Sequence, residues 1–279
     1  MTRDHSPSSR SSLPAPPTHP APPAHPARRR AGVLAAATAV LALAGAQTAT
    51  AGPSSAAAGG LPSAAMAGLP VGHDVSSHQE HVDWPEVRSK GARFVYVKAT
   101  ESTGYRNPYF DRQYGGARRA GLIRGAYHFA RPDRSSGAEQ AAYFVRNGGD
   151  WRPDGRTLPP ALDIEYNPYD PHEKCYGLSR PGMVRWIRSF SDEVRRETGR
   201  RPVIYTTALW WSACTGDSRA FAGDHALWIA SHGAPDPGSL PGGWQHWTFW
   251  QYDIRGGLPG DQNLFNGPRS RLRAFALGR

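Results

Sequence analysis

From Val71 onward the chain repeats one pattern, a short β-rich run followed by a helical or polar stretch. The runs are VGHDVSS (71–77), RFVYVKAT (93–100), IRGAYHFA (123–130), PALDIEY (160–166), PVIYTT (202–207), ALWIASH (226–232) and WTFWQYD (247–253), with GDQNLFNG (260–267) as a short last strand. Helical patterns fill residues 107–120, 136–148 and 180–199. In the last of these Met183, Trp186, Ile187, Phe190 and Val194 keep one face apolar, and Gly199 supplies a C-cap. Strands alternating with helices indicate βα units around a parallel sheet. The pattern is regular for five units and then loses its helices. The expected fold class is therefore α/β: a single irregular (β/α) barrel of about eight strands, with fewer helices in the second half.

The chain before Val71 reads differently. Arg28-Arg29-Arg30, the apolar run AGVLAAATAVLALAGA and the small-residue site Ala49-Thr50-Ala51 follow one another as in a cleaved export signal, expected over residues 1–51. The apolar run is too short for a mature membrane span, and both the general secretory and the twin-arginine routes stay open. Residues 52–70 are small and nearly uncharged and read as a linker or pro-segment. The barrel is expected over 71–279, acting as a monomer and with no room for a further binding domain.

The whole chain carries a formal charge of +10, and because residues 1–51 hold five arginines and one aspartate, the remainder carries +6. Its basic residues look scattered along the sequence and no zinc-finger or RNA-binding signature appears, so no nucleic-acid partner is expected. Cys175 and Cys214 are the only cysteines, and in an exported chain they are expected to form a disulfide.

The run LPPALDIEYNP (158–168) holds two acids, Asp163 and Glu165, in what otherwise reads as a buried strand. Burying carboxylates without compensation is costly. Side chains two apart on a strand share a face, so both acids should point into the barrel mouth while Ile164 packs outward. Asp74 in the first run and Asp261 in the last belong to the same end, where loops at the C-terminal ends of barrel strands close over substrates. Two close carboxyls do not both ionise readily, so one keeps its proton while the other stays charged. Glycosidic bond cleavage needs that division. Divalent metal binding is the competing use of paired acids, and its only further ligand candidates are His73 and the His78–His81 run. These read better as loop or hydrogen-bonding histidines, so neither a metal nor a cofactor is expected.

Nine tryptophans and eleven tyrosines crowd the strand ends. Sugars present apolar C–H faces to aromatic rings, which makes Tyr127, Tyr166, Tyr205 and Trp250 candidate substrate contacts. Trp186 and Trp228 read as core. Lys98 and Glu101, at the end of the second strand, are candidate cleft residues or a solvated ion pair.

In order along the chain, GHDVSSHQEHVDW (72–84), FVYVKATES (94–102), GAYHFARP (125–132), ALDIEYN (161–167), PVIYTT (202–207), LWIASHG (227–233), FWQYD (249–253) and DQNLFNG (261–267) resemble the motifs of the glycoside hydrolase family 25 lysozymes of the Chalaropsis type. The resemblance implies a secreted N-acetylmuramidase cutting the β-1,4 bond between N-acetylmuramic acid and N-acetylglucosamine in bacterial peptidoglycan. It makes Glu165 similar to the family's general acid, Asp163 to the acid beside it, Asp74 to the acid of the first motif and Asp261 to the last acid lining the site. Ser102 departs from the family, where many members have glycine, and bears on the local loop. Two other readings are a catalytically silent glycan-binding module, which would not need the buried acids, and a chitin-directed acid-pair glycosidase. The net positive charge is expected to favour an anionic cell wall.

Overall fold

The computed structural model describes Met66 and residues 68–279. The expected export signal and most of the linker lie outside the described residues. Packing begins slightly before Val71, since Met66 and Leu69 rest against the core and the Pro70 carbonyl accepts from the Phe265 N–H.

The elements in order are β1 (Val71–Val75), α1 (Trp84–Ser89), β2 (Phe94–Glu101), β3 (Tyr105–Arg106), α2 (Phe110–Arg119), β4 (Ile123–Phe129), α3 (Gly137–Phe144), β5 (Ala161–Asp163), α4 (Arg180–Thr198), β6 (Val203–Thr207), α5 (Ala208–Thr215), β7 (Leu227–Ala230), β8 (Phe249–Asp253), β9 (Asp261–Phe265) and α6 (Arg269–Ala276). Strands β1, β2, β4, β5, β6, β7 and β8 run parallel, and β9 closes the barrel between β8 and β1. The short β3 folds back on β2 outside the closed ring. Beyond β7 no helix separates the strands, in keeping with the irregular second half.

The last strand corrects the all-parallel expectation, because β9 is antiparallel to both its neighbours. Only residues 254–260 join β8 to β9, and a parallel crossover needs about a dozen residues or more. Asp261 therefore opens its strand instead of ending it, yet still lies at the mouth, with Asp74 as its cross-strand partner.

The period of two divides the sheet into two cores. Val95, Val97, Leu162, Ile164, Ile204, Ile229 and Leu264 face outward to the helices. Phe94, Tyr96, Tyr127, Tyr205, Trp228, Phe249 and Phe265 fill the barrel interior. These large rings fit because glycine stands opposite them. A Cβ on Gly125 would lie 2.3 Å from the Tyr96 ring, and one on Gly72 would lie 2.5 Å from that of Phe94.

Helix α4 ends on Gly199 at φ 74°, as its sequence requires, and starts on a Ser179 cap. Cys175 and Cys214 form a disulfide that ties the loop after β5 to α5. With a sequence separation of 39 residues, the bridge should contribute about 4 kcal/mol in the chain-entropy account. Cys175→Ser/Cys214→Ser is expected to lose most of that in denaturant titration; a loss under about 1 kcal/mol would mean the loop is held by packing alone.

The arginines are less scattered in space than in sequence. Arg93, Arg124, Arg200 and Arg201 sit at or just before the starts of β2, β4 and β6, and Arg269 opens α6 after the end of β9. All lie at the base of the barrel, opposite the mouth.

Candidate active site

One cleft of about 240 Å³ opens at the C-terminal ends of the parallel strands. Asp74, Asp163, Glu165 and Asp261 all line it, together with Lys98, Tyr127 and Tyr205. Strand β5 stops at Asp163, but the Ile164 N–H still donates to the Tyr205 carbonyl. That bond extends the strand geometry past its formal end and keeps Glu165 on the same side as Asp163.

Asp74 is held by two amides. Gln251 Nε2 donates to its Oδ2 at 2.9 Å and Asn263 Nδ2 to the same oxygen at 2.7 Å. The Asn263 amide is not free to turn over. Trp228 Nε1 donates to Asn263 Oδ1 at 2.7 Å, and the Tyr205 hydroxyl donates to Gln251 Oε1 at 2.9 Å. An indole N–H is a donor only, so the Asn263 oxygen must face Trp228 and its NH₂ must face Asp74.

Burial dominates the acids' titration. It raises the Asp74 carboxyl to about 8, helped by the charge of Asp261 and opposed by the two amides. Burial and then the neighbouring Glu165 push Asp163 well above the usual carboxylate range, with Lys98 opposing. Glu165 rises to about 7 through burial and then Asp261. Asp261 is also raised by burial, against the nearby His232. Asp163 Oδ1 is buried and has no hydrogen-bond partner among the described residues.

Lys98 and Glu101 form a sheltered pair, with Nζ 2.7 Å from Oε2 and side-chain exposures of 15% and 13%, so the solvated-pair alternative does not hold. Only Lys98 reaches the cleft lining. Glu101 instead accepts from the Tyr169 hydroxyl, and Arg131 lies over the Tyr169 ring at 4.0 Å while clamping Asp133.

Three aromatic expectations need correction. Trp250 is fully buried in the outer core, its Nε1 donating to the Ser231 carbonyl, because the strand's parity turns Gln251 inward in its place. Tyr166 follows Glu165 and so points away from the cleft; it is 37% exposed and absent from the lining. Trp228 is buried as expected but belongs to the cleft floor. Ser102 takes the left-handed backbone that glycine would occupy, at φ 50°. Among the described residues no group of three or more His, Cys, Asp or Glu is arranged to hold a metal. His73 is fully buried, with Nδ1 against the Pro259 carbonyl, while His78 and Gln79 reach the cleft.

The profile of Glycosyl hydrolases family 25 matches residues 73–261. The chain belongs to that family and is a glycoside hydrolase. Lysozyme M1 of Streptomyces globisporus is 48% identical over 210 residues, which cover 74% of this chain and 70% of the relative. The N,O-diacetylmuramidase of Chalaropsis sp is 46% identical over 210 residues, 74% of this chain and 99% of the relative. The structure of the muramidase from Acremonium alcalophilum superposes with a TM-score of 0.73 at 52% identity, covering 75% of this chain and 100% of that one.

For this family 25 hydrolase the site is assembled at the expense of stability. A carboxyl whose folded pKa exceeds its unfolded value binds more protons folded than unfolded, so stability falls as pH rises between the two values. For Asp74 that window runs from 3.8 to about 8, and for Glu165 from 4.5 to about 7. Buried His73, His128 and His225 act oppositely. Lowered to about 4 by desolvation, they add stability as pH climbs to 6.5 and nothing further above it. Above pH 6.5 the acids therefore act alone and stability should decline toward pH 8. Asp74→Asn keeps an oxygen for both amides and removes one such carboxyl. It is expected to melt at least about 3 °C above the parent at pH 8, at about 2–4 °C per kcal/mol, and close to it at pH 4. A variant that melts lower at pH 8 would show that the amide bonds to the charged carboxylate outweigh its burial.

Proposed function

We propose that this lysozyme-family enzyme hydrolyses the β-1,4 bond from N-acetylmuramic acid to N-acetylglucosamine in peptidoglycan, with Glu165 as general acid. The observation that carries the reading is the convergence of four carboxyls with separated environments in one cleft at the barrel mouth. Glu165, near 7, keeps a proton to give to the leaving oxygen around neutral pH. Asp163 offers an unpartnered buried oxygen, suited to accept the N–H of the substrate's 2-acetamido group as its carbonyl attacks the anomeric carbon. Asp74 and Asp261 then complete the wall of the site, with Asp74 fixed by Gln251 and Asn263. Tyr127, Tyr205 and Trp228 supply ring faces and edges on the floor.

The relatives named lysozyme and muramidase support the substrate class, and the name N,O-diacetylmuramidase suggests that O-acetylated muramic acid be included among the substrates tried. The same reading takes residues 1–51 as a cleaved export signal, residues 52–70 as a linker and the working enzyme as an extracellular monomer. The test is to digest purified peptidoglycan, reduce the new ends with borohydride and identify the reduced sugar by mass spectrometry. Reduced muramic acid is expected. Reduced glucosamine would overturn the bond assignment, and no new ends would overturn the proposed function.

A further inference from the structure

The mouth of the barrel gathers acids, and the base gathers unmatched arginines. Two clefts open at the base on either side of Phe275. One, of about 480 Å³, is lined by Arg195, Arg200 and Arg201 with Asp224 and His225; the other, of about 360 Å³, by His246, Arg271 and Arg279. Arg201 is paired with Asp192 and Asp224 at 2.6 and 2.8 Å. Among the described residues Arg195, Arg200 and Arg271 make no such pair. Arg200 is nevertheless positioned, lying 5.6 Å from the centres of both the Trp151 and Phe275 rings and donating to the Gly278 carbonyl.

Helix α6, between the clefts, sharpens the asymmetry. Its first turn has no acid and no side-chain cap, and it carries Arg269 and Arg271 where the helix dipole is already positive. Arg93 has both Arg88 and Arg269 near it, and after burial these like charges lower the Arg93 guanidinium below its usual value. Cations crowded in this way repel one another, and a bound polyanion would relieve the repulsion. Guanidinium forks match phosphate oxygens two at a time, and a chain with repeated charges can enter both clefts at once.

We propose that the base of the barrel is a docking face for a phosphodiester-linked polymer of the bacterial wall, held by the arginine clefts beside Phe275. The choice of a wall polymer rests on the proposed function, which places the enzyme among such chains. Docking at the base leaves the acidic mouth, at the other end of the strands, free for the glycan.

The test uses the protein carrying Glu165→Gln, so that walls are bound but not dissolved. Its co-sedimentation with Gram-positive walls is measured before and after hydrofluoric acid removes the phosphodiester polymers. The same is done with Arg195→Gln, Arg269→Gln and Arg271→Gln added together. Either change should weaken binding tenfold or more, and combining them should add little. Undiminished binding by the triple variant, or by the parent on extracted walls, overturns the proposal. So does displacement by duplex DNA at lower concentration than by the purified wall polymer, which would assign the face to nucleic acid. With Glu165 restored, the triple variant should release reducing ends from extracted walls at the parent rate, showing that the fold is intact. If the parent releases none, the proposed function fails while the docking result stands.

Discussion

Glu165→Gln is expected to lower kcat on peptidoglycan on the order of 10²-fold or more while leaving KM nearly unchanged. Glutamine keeps the size and the hydrogen-bonding reach of the side chain and removes only the transferable proton. The expected size of the effect follows from where that proton is held. Burial and the charge of Asp261 bring the Glu165 carboxyl to about 7, so a large share of the enzyme carries the acid form at neutral pH. The parent should therefore lose activity as pH rises through about 7, and the residual activity of the variant should lack that alkaline limb. Measuring kcat against pH for both proteins checks the two statements together. A variant with a near-normal rate, or one that retains the same alkaline limb, would mean that another carboxyl donates the proton.

How far the site can be read from the sequence depends on parity. Period two along ALDIEYN is enough to put Asp163 and Glu165 on one side and Ile164 on the other, and the structure keeps that alternation even though β5 formally ends at Asp163. The same rule, applied to FWQYD, requires that only one of Trp250 and Gln251 face inward. Preferring an aromatic for sugar contact selects Trp250, whereas the interior position of Phe249 selects Gln251. The inward glutamine then organises Asp74, a role no local pattern announces, because its partners Tyr205, Asp74 and Asp261 come from three other strands. Asn263 is hidden for the same reason. The direction of β9 was legible from the seven residues that precede it, too few for a crossover. The basic base was not. Arg93, Arg124 and Arg200 are far apart in sequence and share one end only because parallel strands repeatedly start there, and Arg269 joins them because antiparallel β9 ends there. The Tyr169 contact with Glu101 is equally nonlocal, carried by a loop that the disulfide anchors.

Asp163→Asn is the second large effect expected, a fall in kcat on the order of 10²–10³-fold, comparable to removing one electrostatic stabiliser from a closed site. Asp163 is buried, and its Oδ1 has no partner among the described residues. Burial and Glu165 raise its carboxyl, while Lys98 in the same cleft favours the anion. A charged Asp163 is stabilised further when a donor reaches Oδ1, and the N–H of a 2-acetamido group turning its carbonyl toward the anomeric carbon is such a donor. Positive charge then develops on the ring that forms, so the carboxylate gains more in the transition state than in the ground state. Asparagine can still accept the N–H bond but cannot offset that charge, and the loss should fall on kcat more than on KM. The variant also separates two mechanisms. If the substrate's own acetamido group is the nucleophile, Asp163→Asn should slow the first step and leave no sugar attached to the protein. If Asp74 attacks instead, an activated substrate should still glycosylate it, and intact-protein mass spectrometry would record the added sugar. Asp74 is poorly placed for that role, since two amides hold its Oδ2 and it is buried.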